Sequence, residues 1–225
     1  MTEHDPQPGR LDPVAEHLAD PGQRLDIARL GVWLFLSTEV LFFGVLFVGF
    51  TLYRRSYPAE FVAASGHLNL WLGGFNTLVL LTSSLFVALA VLGADHGDRR
   101  SSTRYLMATL TLGLVFLAIK AFEWHQEYQE HLVPGLNFNL PDTDAGWAAH
   151  EQLFFCLYFI MTGVHAFHMV AGSGVLAWLI LRGWRGRGPL SQTESIRIES
   201  TALYWHFVDI VWVFLLPLLY LTGFG

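Results

Sequence analysis

Five stretches of this chain are longer and more apolar than a soluble fold tolerates. They run over roughly Ile27–Tyr53, Leu68–Gly93, Tyr105–Trp124, Glu151–Leu181 and Ser200–Thr222. Each reaches or exceeds the roughly 18–20 residues that cross a bilayer core. In lipid, a helix is the only open element that satisfies its own backbone, so each stretch is predicted helical. Charged residues make up only 14% of the chain and hydrophobic ones 53%, which excludes an ordinary soluble domain. The expected fold class is an all-α integral membrane protein, a bundle of five transmembrane helices.

The polar segments between these stretches carry the orientation. Arg10, Arg24, Arg29, Arg99, Arg100, Arg104, Arg182, Arg185, Arg187 and Arg197 fall on one side of the predicted bilayer, and only Arg54 and Arg55 on the other. The positive-inside rule then puts the N-terminus inside and the C-terminus outside. The expected location is the bacterial inner (cytoplasmic) membrane, with the matrix as the equivalent inside in a mitochondrial one. Residues 1–26 are polar, with Pro6, Pro8, Pro13 and Pro21, and lack the apolar core of a cleavable signal. They read as a largely disordered arm with a short helix around Val14–Leu18, followed by one transmembrane domain over 27–225. No Lys/Arg stripe points to nucleic acid. Cys156 is the single cysteine, so no internal disulfide forms.

Within these runs sit side chains that lipid does not tolerate. Glu39 lies about 18 Å along its helix from Ile27, near mid-bilayer. Facing lipid there costs about 2.5 kcal/mol or more. His165 and His168 repeat at i,i+3, as do His206 and Asp209 in the segment LYWHFVDIVW (203–212), and Lys120 and Glu123 near the end of the third helix. The expectation is that Glu39, His165, His168, His206 and Asp209 turn inward and meet in one buried polar network. Trp33, Lys120, Glu123, Trp124, Tyr204 and Trp205 are candidates for lipid or outer-interface contact, with Lys120 placed either to pair with Glu123 or to snorkel.

Three chemistries suit such a set: helix registration by paired polar groups, proton handling, or metal ligation by His-x-x-His. The di-iron bundle pattern needs intramembrane Glu-x-x-His motifs, which are lacking here. No residue is assigned a catalytic or metal-binding role. An independent metalloenzyme and a transporter remain alternative classes. Small and hydroxyl residues, among them Gly73, Asn76, Thr77, Ser83 and Ser84, suit close helix approach and cross-helix hydrogen bonds.

The segments FLSTEVLFF (35–43), FNTLVLLTSS (75–84), FEWHQEY (122–128), TGVHAFHMVAG (162–172) and YWHFVDIVWVFL (204–215), in that order, resemble subunit III of the haem–copper oxidases, the cytochrome c oxidase group. The resemblance covers about residues 27–222. It implies an accessory, non-redox subunit of a terminal respiratory oxidase that supports stability, lipid binding and proton uptake during oxygen reduction. It further implies no cofactor in this chain, haem and copper in partner subunits, and bound phospholipid. The implied partners are catalytic subunit I, subunit II and other respiratory-complex subunits. By motif position, Glu39 matches the family's buried helix glutamate, and His165 and His168 its paired histidines. The chain is similar to the five-span form that lacks the first two of seven helices. Lys120 stands where many members carry an uncharged polar residue. Quinol-oxidase subunits and nitric-oxide-reductase-associated paralogues share these motifs.

Overall fold

The computed structural model describes residues 21–139 and 144–222, and within them every regular element is a helix. The helices are α1 (Pro21–Ser56), α2 (Pro58–Ser65), α3 (Leu70–Asp95), α4 (Arg99–Gln129), α5 (Ala145–Arg185) and α6 (Gln192–Tyr220). All but α2 are long and apolar enough to cross a membrane. The expected five-span bundle is therefore present, with a sixth, short helix where a plain connection was expected. Helix α1 starts at Pro21, inside the segment 1–26 read as an arm, and the expected helix around Val14–Leu18 lies outside the described residues.

Capping residues explain several of the boundaries. Asn69 Oδ1 accepts the Leu72 amide, and Asp98 Oδ1 accepts the amides of Arg100 and Ser101. Ser191 and Glu194 close a reciprocal capping box at the head of α6. Each satisfies amides that a helix start leaves orphaned. Helix α2 begins with Pro58 in its first turn, where the missing N–H costs nothing. It is held by Phe61, which is buried against Phe50 of α1 and Phe154 of α5 at centroid distances of 5.4 Å each.

The bundle is uneven. Among the described side chains of α1, a narrow stripe, Leu36, Phe43 and Phe50, is buried, one residue in every seven. Leu34, Leu41, Val45 and Leu52 point outward. Half of the most apolar window of α6 is buried, against 11% of that of α1. Helix α6 is thus the central post and α1 a peripheral one, touching α2, α5 and α6.

Candidate functional site

The post is built by the segment that carries the most aromatic and polar residues together. Tyr204 donates to the His168 carbonyl on α5 at 3.0 Å. Trp205 is fully buried and donates through Nε1 to Ser83 Oγ on α3 at 2.9 Å. Its indole occupies space left by two glycines. A Cβ on Gly113 would lie 2.7 Å from Trp205 Cη2, and one on Gly172 3.1 Å from Cζ3. His206 Nδ1 hydrogen-bonds Ser84 Oγ at 2.6 Å, and Trp212 Nε1 donates to Thr77 Oγ1 at 3.0 Å. The hydroxyls of α3 are therefore hydrogen-bond partners for α6, a use of small polar residues that lets two helix backbones approach closely.

The five residues expected to converge do not form one network. Glu39 and His168 do meet: Oε2 lies 3.0 Å from Nε2. His168 Nδ1 is 2.9 Å from the Val164 carbonyl, which can only accept, so Nδ1 carries a proton. Nε2 then either donates as imidazolium to a carboxylate or accepts from a carboxylic acid. In both states the pair is neutral overall, which is how α1 keeps a mid-span carboxyl near lipid. The pair lines an open groove of about 610 Å³ with Thr38, Phe42, Gly163 and Phe167.

His165, one turn away from His168, faces elsewhere. It is buried between the rings of Phe116 (5.5 Å) and Trp212 (5.2 Å), and neither ring nitrogen has a hydrogen-bond partner among the described residues. Asp209 is also buried, with both carboxylate oxygens unpartnered there. Ser84, whose hydroxyl bonds His206, lies beside it. An i,i+3 spacing puts two residues on adjoining faces of a helix. In this packing the adjoining faces meet different neighbours, and that is why the network divides.

A second correction concerns Lys120 and Glu123. They are not at a lipid or outer interface: Lys120 is 2% exposed and Glu123 3%. Lys120 Nζ donates to Glu123 Oε2 (3.0 Å), Tyr158 OH (2.7 Å) and Tyr220 OH (2.9 Å), using its three protons. Tyr220 in turn donates to Glu123 Oε1, and Tyr158 to Glu127 Oε1. The ammonium also lies 4.6 Å from the Tyr158 ring centroid. Snorkelling is unnecessary when three helices supply acceptors on the spot. Trp205 likewise leaves the set of interface candidates, being enclosed by α3, α4 and α5. Trp33 is exposed, Trp124 half-buried against Phe159, and Tyr204 half-buried.

Glu127, Tyr158 and Tyr220 were not singled out by the sequence. A signal existed: Lys120, Glu123 and Glu127 stand at i, i+3 and i+7, one stripe of a helix.

Among the described residues no three His, Cys, Asp or Glu side chains come together as metal ligands. The histidines that could chelate are instead committed to a carboxyl, a carbonyl, a hydroxyl or aromatic packing. Fold and polar groups together define a multi-pass membrane protein whose intramembrane chemistry is directed at joining helices.

Residues 24–224 match the family described as cytochrome c oxidase subunit III. The chain is 31% identical over 198 residues to cytochrome c oxidase subunit 3 of Synechocystis, covering 87% of this chain and 76% of that one. It is 28% identical over 207 residues to cytochrome bo(3) ubiquinol oxidase subunit 3 of Pseudomonas putida, covering 91% and 88%. It is also 30% identical over 221 residues to haem–copper oxidase subunit I+III of Aeropyrum pernix, spanning 94% of this chain and 24% of that longer one. The chain belongs to the cytochrome c oxidase subunit III family and is a subunit III of a terminal oxidase.

Proposed function

We propose that this chain is the accessory, non-redox subunit of its oxidase, seated beside catalytic subunit I in the bacterial inner membrane, with subunit II in the same complex. The observation that carries this is the Glu39–His168 pair on a groove beside a helix that is mostly unburied by its own chain. A neutralised carboxyl on a peripheral helix suits a face that meets lipid and a neighbouring subunit, where it shields a proton entry region. The Aeropyrum relative, whose name joins I and III, supports subunit I as the neighbour. Haem and copper belong to the partner chains in this reading.

Orientation follows the arginines. Arg99, Arg100, Arg104, Arg182, Arg187 and Arg197 line two adjoining cavities at one end of the bundle, while Arg54 reaches the Thr222 carbonyl at the other. The arginine-rich end is inside, giving N-terminus in and C-terminus out. Phospholipid chains lie in the grooves beside α1, one of which is walled by Val32, Phe35, Val175 and Tyr204.

Purification of the tagged chain in mild detergent tests the reading. Subunit I and a haem absorption spectrum are expected to copurify, and the chain separated from the complex should carry neither metal. Stoichiometric haem or copper on the separated chain overturns it. The Pseudomonas relative favours a second reading of the electron donor, a quinol. Oxygen uptake by the complex with reduced cytochrome c or with quinol separates the two.

A further inference from the structure

A cavity of about 530 Å³ lies where α4 begins and α5 ends. Arg99 builds its frame. It holds Glu194 at 2.8 and 3.0 Å and donates to the Gly188 and Pro189 carbonyls. Arg100, Arg104 and Arg187 line the same cavity, are exposed, and have no ion pair among the described residues. The carboxylates beside them are engaged. Glu194 belongs to Arg99, and Asp98 Oδ1 accepts the amides of Arg100 and Ser101 at the head of α4. The cavity keeps an excess of guanidinium groups over the anions that the described residues supply.

The complementary charge lies in the chain itself. Residues 1–20 carry Glu3, Asp5, Asp12, Glu16 and Asp20 against the single Arg10. They lead directly into α1, and α1 begins at the cavity's end of the bundle. Arg29, about two turns into α1, pairs with Glu199 at 3.0 Å. Glu199 follows Arg197 closely on α6, and Arg197 shares the adjoining cavity with Arg99. Helix α1 also packs on α5, whose last turn walls the cavity. Neighbouring helix axes lie about 8–10 Å apart, whereas twenty extended residues reach about 66 Å. Distance is therefore no barrier between this segment and the free guanidinium groups.

We propose that the acidic segment 1–20 straps the arginine-rich end of its own chain, its carboxylates pairing with Arg100, Arg104 and Arg187 across the cavity mouth. Guanidinium forks and carboxylates pair two bonds at a time. A tethered segment works at an effective concentration of the order of millimolar, so contacts that are each weak are occupied together. The strap has a mechanical meaning for α1. That helix is the least buried span, and its Arg29–Glu199 pair is about half exposed, which makes it worth little alone. Fastening the residues just before α1 to α4 and α5 secures a helix that packing engages along a narrow stripe. The contacts lie within this chain, so the proposal stands whatever subunits neighbour it.

The test uses the tagged full chain in the complex it retains in mild detergent. A benzophenone amino acid replaces Leu11 or, separately, Val14, and the crosslinked peptides are mapped. At low salt the label should fall in residues 99–107 and 183–188 of the same chain. Raising the salt to about 1 M, where charges are screened within about 3 Å, should cut it severalfold. Each of Arg100→Gln, Arg104→Gln and Arg187→Gln should lower it about two- to fivefold, the worth of one exposed ion pair. Exchanging Glu3, Asp5, Asp12, Glu16 and Asp20 together for their amides should abolish it. Label on another subunit, on lipid or elsewhere in this chain overturns the proposal, as does label that ignores salt. The chain with all its arginines decides this if a variant does not assemble. Subunit I is counted in the same preparation, so failure of the partner assignment is read separately from failure of the strap.

Discussion

The cluster around Lys120 and the groups around His165 and Asp209 are both buried and both polar, yet they are solved in opposite ways. In the first, an ammonium, two carboxyls and two phenols from α4, α5 and α6 are joined by five hydrogen bonds. In the second, an imidazole held between apolar rings and a carboxyl on a neighbouring helix stay apart, without the dense bonding of the first among the described residues. The difference teaches that burial alone does not make a network. A cluster forms where three helices converge on one long side chain, whereas short side chains one turn apart are parted by packing. A buried ionic group whose partners are removed is left uncompensated, while a group that never had a partner has little to lose.

The largest effect should therefore come from Lys120→Met. Removing Lys120 leaves Glu123 and the two phenols without their shared donor, and Glu127 without a nearby cation, a loss of about 3–5 kcal/mol. Thermal or denaturant unfolding of the purified complex, followed by retention of this subunit, reads it. A change below about 1 kcal/mol would mean the cluster is no stronger than an exposed pair. Next is Glu39→Ala, which strands His168 at the edge of the bundle and costs roughly 1–3 kcal/mol. Its expected signature is faster loss of oxidase activity during turnover, with haem content intact at the start. Wild-type turnover lifetime and subunit retention would remove Glu39 from that role.

Asp209→Asn should be milder, within about 1 kcal/mol of wild type, because the amide keeps the shape and has no ion pair to break. The smallest change is expected for His165→Phe. It exchanges an unpartnered polar ring for an apolar one between Phe116 and Trp212, and stability should hold or rise slightly. A marked loss in either variant, measured by the same unfolding assay, would reveal a hydrogen bond that unites the second region after all.

The spans were legible because apolar length is a one-dimensional property. Their ends were not. Helix α5 begins six residues before the apolar run at Glu151, and α6 eight before Ser200, since the polar overhangs obey caps such as the Ser191–Glu194 box rather than hydropathy. Helix α2 was missed because eight residues held by Phe61 leave too short a period to read. The inward turn of Glu39 toward a histidine was legible from the cost of a carboxyl in lipid. Its choice of His168 over His165 was not, because that depends on which helix packs on which face. The Lys120–Glu123 ion pair was legible from the i,i+3 spacing, whereas the burial of Lys120 was not, because only the fold shows Tyr158 and Tyr220 brought to it from distant sequence.

Helix α5 has 41 residues, about 60 Å at 1.5 Å per residue, while the hydrocarbon layer is about 30 Å thick. It is pinned at both extremities. Near one, Phe61 packs on Phe154, and Glu60 lies 3.3 Å from His150, whose ring stacks on Tyr57. At the other, Gly183 and Gly186 are wedged against Thr103 and Arg99. A rod fastened in this way has little freedom to lean when the surrounding leaflets thicken or thin. The bilayer must conform to the protein along this edge, so the subunit acts as a fixed gauge of membrane depth for whatever is assembled next to it.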